Sequence, residues 1–336
     1  MPEHDAQAWN EKDIADLTAK IGALKASMST VIVGQDQVIE SLVICLLAGG
    51  HALVEGVPGL GKTLLVKSLA QATDLQFRRV QFTPDLMPSD IVGTEILEEN
   101  QTTRQRLFRF QPGPVFTQVL LADEINRAPP KTQSALLEAM QERAVTFGGV
   151  THGLPKPFFV LATQNPIEQA GTYPLPEAQL DRFLLRIDVG YPTEDEEMMM
   201  VSRTTHAGLA DAPQVMDVDS LLRLQKLVRD IEIGEHLLRY ATRLVRATRP
   251  QESHVAAVIK HVGWGAGPRA GQALVLAAKA RALMHNRLAV TRDDIGAMLL
   301  PVLAHRVLRN FEAEADGVAI ADILLALRAE IRADKD

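Results

Sequence analysis

"HALVEGVPGLGKTLLVKSLA" (51–70) decides the fold. A short apolar run is broken by glycine and proline, and a helical stretch begins at Lys62 and Thr63. Gly56, Gly61, Lys62 and Thr63 fit the spacing G-x-x-x-x-G-K-[ST]. Glycines let successive backbone N–H groups turn inward around phosphate oxygens. The helix that follows aims its positive end at the same point. Lys62 adds a mobile cation near the β and γ phosphates, and the Thr63 hydroxyl is a ligand for Mg²⁺. The expected cradle runs from Gly56 to Leu64 and includes Pro58, Gly59 and Leu60.

The pattern of apolar run, polar loop and helix then repeats. The runs are "HALVEG" (51–56), "FRRVQF" (77–82), "VLLADE" (119–124), "FFVLATQN" (158–165) and "FLLRIDVG" (183–190). Short apolar runs between helices predict buried parallel strands, here five, with helices on both faces. Two stretches exceed that plan. Residues 94–110 predict a hairpin with a polar tip, and residues 144–155 a second hairpin turning at Gly148-Gly149. Residues 5–28 predict an amphipathic helix, followed by a short extended piece and a buried helix ending at Gly49-Gly50. After Gly190 no further strand is expected. Thr193 and Glu196 form a capping-box pair, and Leu224, Leu227, Val228 and Ile231 recur at helical spacing, as do Leu237, Ala241, Leu244 and Val245. Thr291 caps a further helix. Three parts are therefore expected: a helical segment (1–30), an α/β core (31–190), and a linking helix with an all-α domain (191–336).

Composition narrows the function classes. The chain has 336 residues, a net charge of −7 and 4% aromatics. That charge argues against a nucleic-acid binder, which usually presents a basic face. The single cysteine, Cys45, excludes an internal disulfide and a cysteine-based metal site, and its apolar surroundings predict burial. The polar N-terminus gives no signal peptide and no apolar stretch is long enough to cross a bilayer, so a cytoplasmic protein is expected.

Asp123 and Glu124 follow an apolar strand, where such sheets open onto their ligand crevice. Asp123 is expected to help hold Mg²⁺, and Glu124 to orient or deprotonate the attacking water. Asn165 ends the neighbouring run, where an uncharged amide can bond the water or the γ-phosphate. Arg182 lies just before the fifth strand. Arg269 sits beside Pro268 in the first turn of a helix, an unfavourable place for a cation unless an anion lies outside it.

These residues lie within "VIVGQDQVIE", "LVEGVPGLGKT", "FTPDLMPSDIVGTEIL", "GPVFTQVLLADEINRAPPKTQSALLEAMQER", "FFVLATQNPIEQAGTYPLPEAQLDRF" and "GAGPRA". In these strings the chain resembles the AAA+ ATPases of the MoxR family. The resemblance implies a P-loop NTPase core with a helix-2 insert and a hairpin before the sensor strand, both near a central pore, and an α-helical lid. It implies Asn165 as sensor 1, Arg182 as an arginine finger acting on a neighbour's ATP, Arg269 as sensor 2, and Val33 and Gly34 in the adenine pocket. It further implies a homo-oligomeric ring, a hexamer, that uses ATP and Mg²⁺ to mature or activate a protein client, often beside a protein with a von Willebrand factor A domain. Gly267 stands where the family often has Ser, while Arg269 itself is kept. Arg127 is a further candidate for the subunit interface.

Three other functions compete with protein remodelling. A helicase-like motor shares both insertions, but between Ala144 and Pro155 the second hairpin carries no Lys or Arg for backbone phosphates. A magnesium-chelatase-type motor subunit comes from a neighbouring family, and "LATQNPIEQAGTYPLPEAQLDRF" favours MoxR. A switch that binds nucleotide without hydrolysing it is opposed by the intact Asp123, Glu124, Asn165 and Arg182.

Overall fold

The structure is a computed structural model that describes residues 9–99, 106–165, 171–206 and 211–331. In chain order the elements begin with α1 (Glu11–Val31), α2 (Asp36–Leu47), β1 (Ala52–Gly56), α3 (Lys62–Ala72), β2 (Phe77–Gln81) and α4 (Pro88–Val92). Then come β3 (Gly93–Glu99), β4 (Arg106–Pro112), β5 (Val119–Asp123), α5 (Pro130–Glu142), β6 (Ala144–Phe147) and β7 (Val150–Gly153). They are followed by β8 (Phe159–Gln164), α6 (Glu177–Leu180), β9 (Leu185–Val189) and α7 (Glu194–His206). The helical half holds α8 (Val218–Asp230), α9 (Glu235–Arg246), α10 (Ala256–His261), β10 (Val262–Trp264), α11 (Pro268–Met284) and α12 (Arg292–Leu303). It closes with β11 (Leu308–Arg309), α13 (Phe311–Ala315) and α14 (Ile320–Glu330).

The five predicted strands form one parallel sheet in the order β2-β5-β8-β1-β9. Their alternation divides the interior. Ala52, Val54, Val119, Leu121, Phe159 and Leu161 face a core shared with α1, α2, α3 and the C-terminal helices. Leu53, Leu120, Ala122, Val160 and Ala162 face a smaller core built on α5. A period of two on both faces is what a fully covered strand requires. Neighbouring β1 and β8 connect in opposite directions across the sheet, which opens a crevice at their carboxyl ends.

Both predicted hairpins are present. β3 pairs with β4 and β6 with β7, each antiparallel, and the second turns at Gly148 and Gly149, both at positive φ. Their rings join: Phe110 of β4 stacks on His152 of β7 at 4.4 Å and lies 5.5 Å from Phe147 of β6. The α7 cap forms as read, with Thr193 N–H donating to Glu196 Oε2 at 2.8 Å.

Three expectations are corrected. Helix α1 starts at Glu11, where Asn10 accepts from the Asp13 N–H, and residues 1–8 lie outside the described part. The extended piece shrinks to the turn at 32–35, because α1 continues through Val31. The helical half is not strand-free, since β10 and β11 form a two-stranded antiparallel ribbon. Strands of three and two residues within "HVGWGAG" and "RVLRN" are too short to show a period.

Candidate active site

Strand β1 delivers Gly56 to the carboxyl edge of the sheet, against β9. A Cβ at Gly56 would stand 2.7 Å from the Val189 carbonyl, so only glycine fits there. The loop turns through Gly59 and Gly61 at φ +86° and +71°, and a Cβ on either would meet open space. Gly61 is the N-cap of α3, so the first free N–H groups of the helix face that space. Lys62 Nζ donates to the Gly56 and Val57 carbonyls, lying across the loop. Partial burial lowers its pKa, opposed by the charges of Asp123 and Glu124.

Those two acids stand where the sequence put them. Asp123 closes β5, with its side chain largely covered. Its Oδ1 accepts from Thr163 Oγ1 at 2.6 Å, and its Oδ2 takes Arg79 at 2.7 Å. Glu124 adopts φ +56°, a left-handed conformation that costs a non-glycine residue free energy and clusters at functional sites. Its N–H donates to Thr163 Oγ1, while Gln81 Nε2 and Arg127 Nη1 reach its Oε2 at 2.7 and 3.1 Å. Arg127, read as an interface candidate, thus holds Glu124 within its own chain. Asn165 is buried just past β8, at the same edge.

Arg79, Gln81 and Thr163 escaped the sequence reading, although a signal existed. Arg79 and Gln81 share one face of the β2 edge strand, and Gln81 is the register partner of Asp123. Thr163 shares a strand face with Asn165, two residues on.

The donor set suits a hard cation. Among the described residues the Thr63 hydroxyl has no hydrogen-bond partner, and a hydroxyl plus one carboxylate is the sparse oxygen set that Mg²⁺ takes beside phosphates and water. For the base, Val33 and Gly34 lie in the turn before α2. Glu196 of α7 covers Gly34 so closely that a Cβ would meet its Oε1 at 2.4 Å.

The two remaining arginines are elsewhere. Leu184 N–H donates to His51 O at 2.7 Å, and β9 runs parallel to β1 from there. Residues 181–184 therefore lie at the amino edge of the sheet, opposite the phosphate loop. β1 alone separates the two edges by about 13 Å. Arg182 and Arg269 line one cleft at this amino edge, of about 320 Å³, together with His51, Arg143 and Arg306. Four guanidinium groups meet one carboxylate there, that of Asp181. Asp181 pairs with Arg306 rather than with Arg182. Arg306 is buried and also donates to the Leu184, Phe183 and Val302 carbonyls, so it fastens the segment that carries Arg182. Among the described residues, Arg182 Nε is buried without a hydrogen-bond partner and Arg269 makes no ion pair. His51 accepts the Val160 N–H at Nδ1, and burial holds it neutral, with its pKa lowered to about 4.

The profile of the ATPase family associated with various cellular activities (AAA) matches residues 51–185, and that of the AAA lid domain residues 256–326. The chain is 43% identical over 321 residues to Chaperone MoxR1 of Mycobacterium tuberculosis, covering 95% of this chain and 83% of that protein. It is 33% identical to Protein MoxR of Paracoccus denitrificans, covering 88% of this chain and 91% of the other. A crystal structure of a Cytophaga hutchinsonii protein, 42% identical, superposes with a TM-score of 0.89 over 97% of this chain and 98% of that one.

Proposed function

Since the chain belongs to the MoxR family of AAA+ ATPases and is an ATP hydrolase, we propose that its active site is composite. One copy supplies Lys62, Thr63, Asp123, Glu124 and Asn165, and the next supplies Arg182 and Arg269. The separation of these groups onto opposite sheet edges carries this reading. A cationic cleft that cannot reach its own phosphate loop fits the triphosphate of a neighbour. A head-to-tail contact of this kind closes into a ring if the rotation permits. A hexameric ring is the proposed assembly.

In the proposed reaction the loop from Gly56 to Leu64 binds the phosphates, and Thr63 and Asp123 would hold Mg²⁺, which would supply neutralisation of phosphate charge. Glu124 takes the proton of the attacking water. Gln81 and Arg127 fix its carboxylate, and Asn165 orients the γ-phosphate. The neighbour's Arg182 and Arg269 stabilise the charge that develops on the transferring group. In this reading Arg269 acts in trans.

The proposed work is chaperone-like remodelling or activation of a protein client. Leu97 and Phe108 are cross-strand partners on β3–β4, and are 51% and 73% exposed. Such an apolar pair suits polypeptide better than phosphate backbone. The β6–β7 hairpin has no Lys or Arg. The side chains of Glu98, Glu99 and Arg106 and residues 100–105 lie outside the described part. A protein with a von Willebrand factor A domain is the proposed companion, and the cytoplasm the proposed location. Among the described residues no helix is long and apolar enough to cross a membrane.

Phosphate release measured against protein concentration tests the composite site. Specific activity should fall on dilution as copies separate. Activity per chain that stays constant down to a monomeric concentration overturns it.

A further inference from the structure

A groove of about 950 Å³ lies in the helical half between α9 and α11. Its floor is apolar, with Leu238, Val245 and Leu276. Its rim is cationic, with Arg229, Arg246, Arg249 and Lys279, and among the described residues no acid lines it. Glu252 pairs with Arg246 and Arg249 at 2.6 and 3.0 Å. At the other end Lys279 donates to the Arg229 carbonyl, and among the described residues neither has an acidic partner in an ion pair. Gln272 and Leu276 line both this groove and the arginine cleft, so the two are continuous along α11.

The chain also presents a matching surface. Helix α7 follows β9 at the phosphate-loop edge. Its inner face rests on its own subunit, where Glu196 covers Gly34 and Arg203 donates to the Thr30 carbonyl at 3.3 Å. Glu194, Met198 and Val201 stand on the opposite face. Met198 and Val201 are 65% and 57% exposed, and Glu194, Asp195 and Glu197 crowd the first turn with acid. An acidic, methionine-bearing face without a partner complements an apolar groove with a cationic rim.

We propose that the groove between α9 and α11 receives the outer face of α7 from the neighbouring copy. The proposal rests on the composite-site reading and extends it. A contact that sets the arginine cleft on a neighbour's phosphates brings the groove beside the neighbour's α7. Within one chain the two surfaces lie at opposite sheet edges and cannot meet. The neighbour's α7 also covers the base end of its own site through Glu196, so docking ties lid position to nucleotide occupancy next door.

Cysteine cross-linking of the full chain tests this. Cys45 is fully buried and leaves a quiet background. Met198→Cys and Leu238→Cys are made as separate variants, mixed with ATP and Mg²⁺, and oxidised. The mixture should yield covalent dimers, and each variant alone should remain monomeric on a denaturing gel. A chain carrying both changes should give a ladder of higher oligomers. A mixture without dimers, or single variants that cross-link equally well, overturns the proposal. Rescue between Arg182 and Glu124 variants reads the composite site separately. Rescue without cross-linking removes the groove contact alone, and cross-linking without rescue removes the shared chemistry.

Discussion

Asp181 Oδ1 and Arg306 Nε stand 2.7 Å apart although 125 residues separate them in the chain. The residue next to Asp181 is Arg182. A side chain from the helical half thus fastens the segment that presents the proposed arginine finger.

Arg306→Ala should therefore lower turnover and stability together. Removing one member of a buried ion pair costs about 3–5 kcal/mol. The urea midpoint should fall accordingly. Asp181→Asn, at a half-buried partner, should cost less stability yet lower kcat with ATP affinity kept. Unchanged kcat in a folded Asp181→Asn protein would separate this clamp from catalysis.

Glu124→Gln should keep nucleotide binding and lose turnover by about 10²–10⁴-fold, the usual contribution of a positioned base. Phosphate release and a fluorescent-nucleotide titration measure the two quantities. Normal release would remove Glu124 from the reaction.

Lys62→Ala should weaken ATP binding. A hydrogen bond to a charged group contributes about 1.5–3 kcal/mol, which corresponds to about 10- to 100-fold in Kd. An unchanged titration would contradict the cradle.

Acid should destabilise the fold through its buried histidines. His51 has a folded pKa of about 4 against 6.5 for the free side chain. Its contribution is present above pH 6.5 and is lost as the unfolded chain takes up the proton, down to about pH 4. The loss amounts to about 3 kcal/mol. Buried His305, also lowered, acts in the same direction. The well-lowered carboxyls of Asp217 and Asp294, at about 2, titrate below this window. Urea midpoints between pH 7 and pH 4 should fall for the native chain and fall less for His51→Gln.

Much of this site was legible because its chemistry is local in sequence. A phosphate loop needs glycines at fixed spacing between a strand and a helix, and 51–70 carries all three signals at once. Asp123, Glu124 and Asn165 end apolar runs, so their edge of the sheet follows from strand direction. The supporting residues were hidden because they act across strands. Arg79 and Gln81 look like solvated positions on an edge strand until the register sets Gln81 beside Asp123. Arg306 is one arginine among many in a helical segment, and only the tertiary fold carries it to Asp181. The ribbon of β10 and β11 was illegible for another reason, since five residues hold too little pattern.

The central claim is that Arg182 and Arg269 complete a neighbour's site. Arg182→Ala and Glu124→Gln chains, each inactive alone, should regain phosphate release when mixed, because an intact Glu124 then meets an intact Arg182 from the adjacent copy. Arg269→Ala should be rescued by the same partner. A mixture that assembles yet remains as inactive as its components would contradict the account.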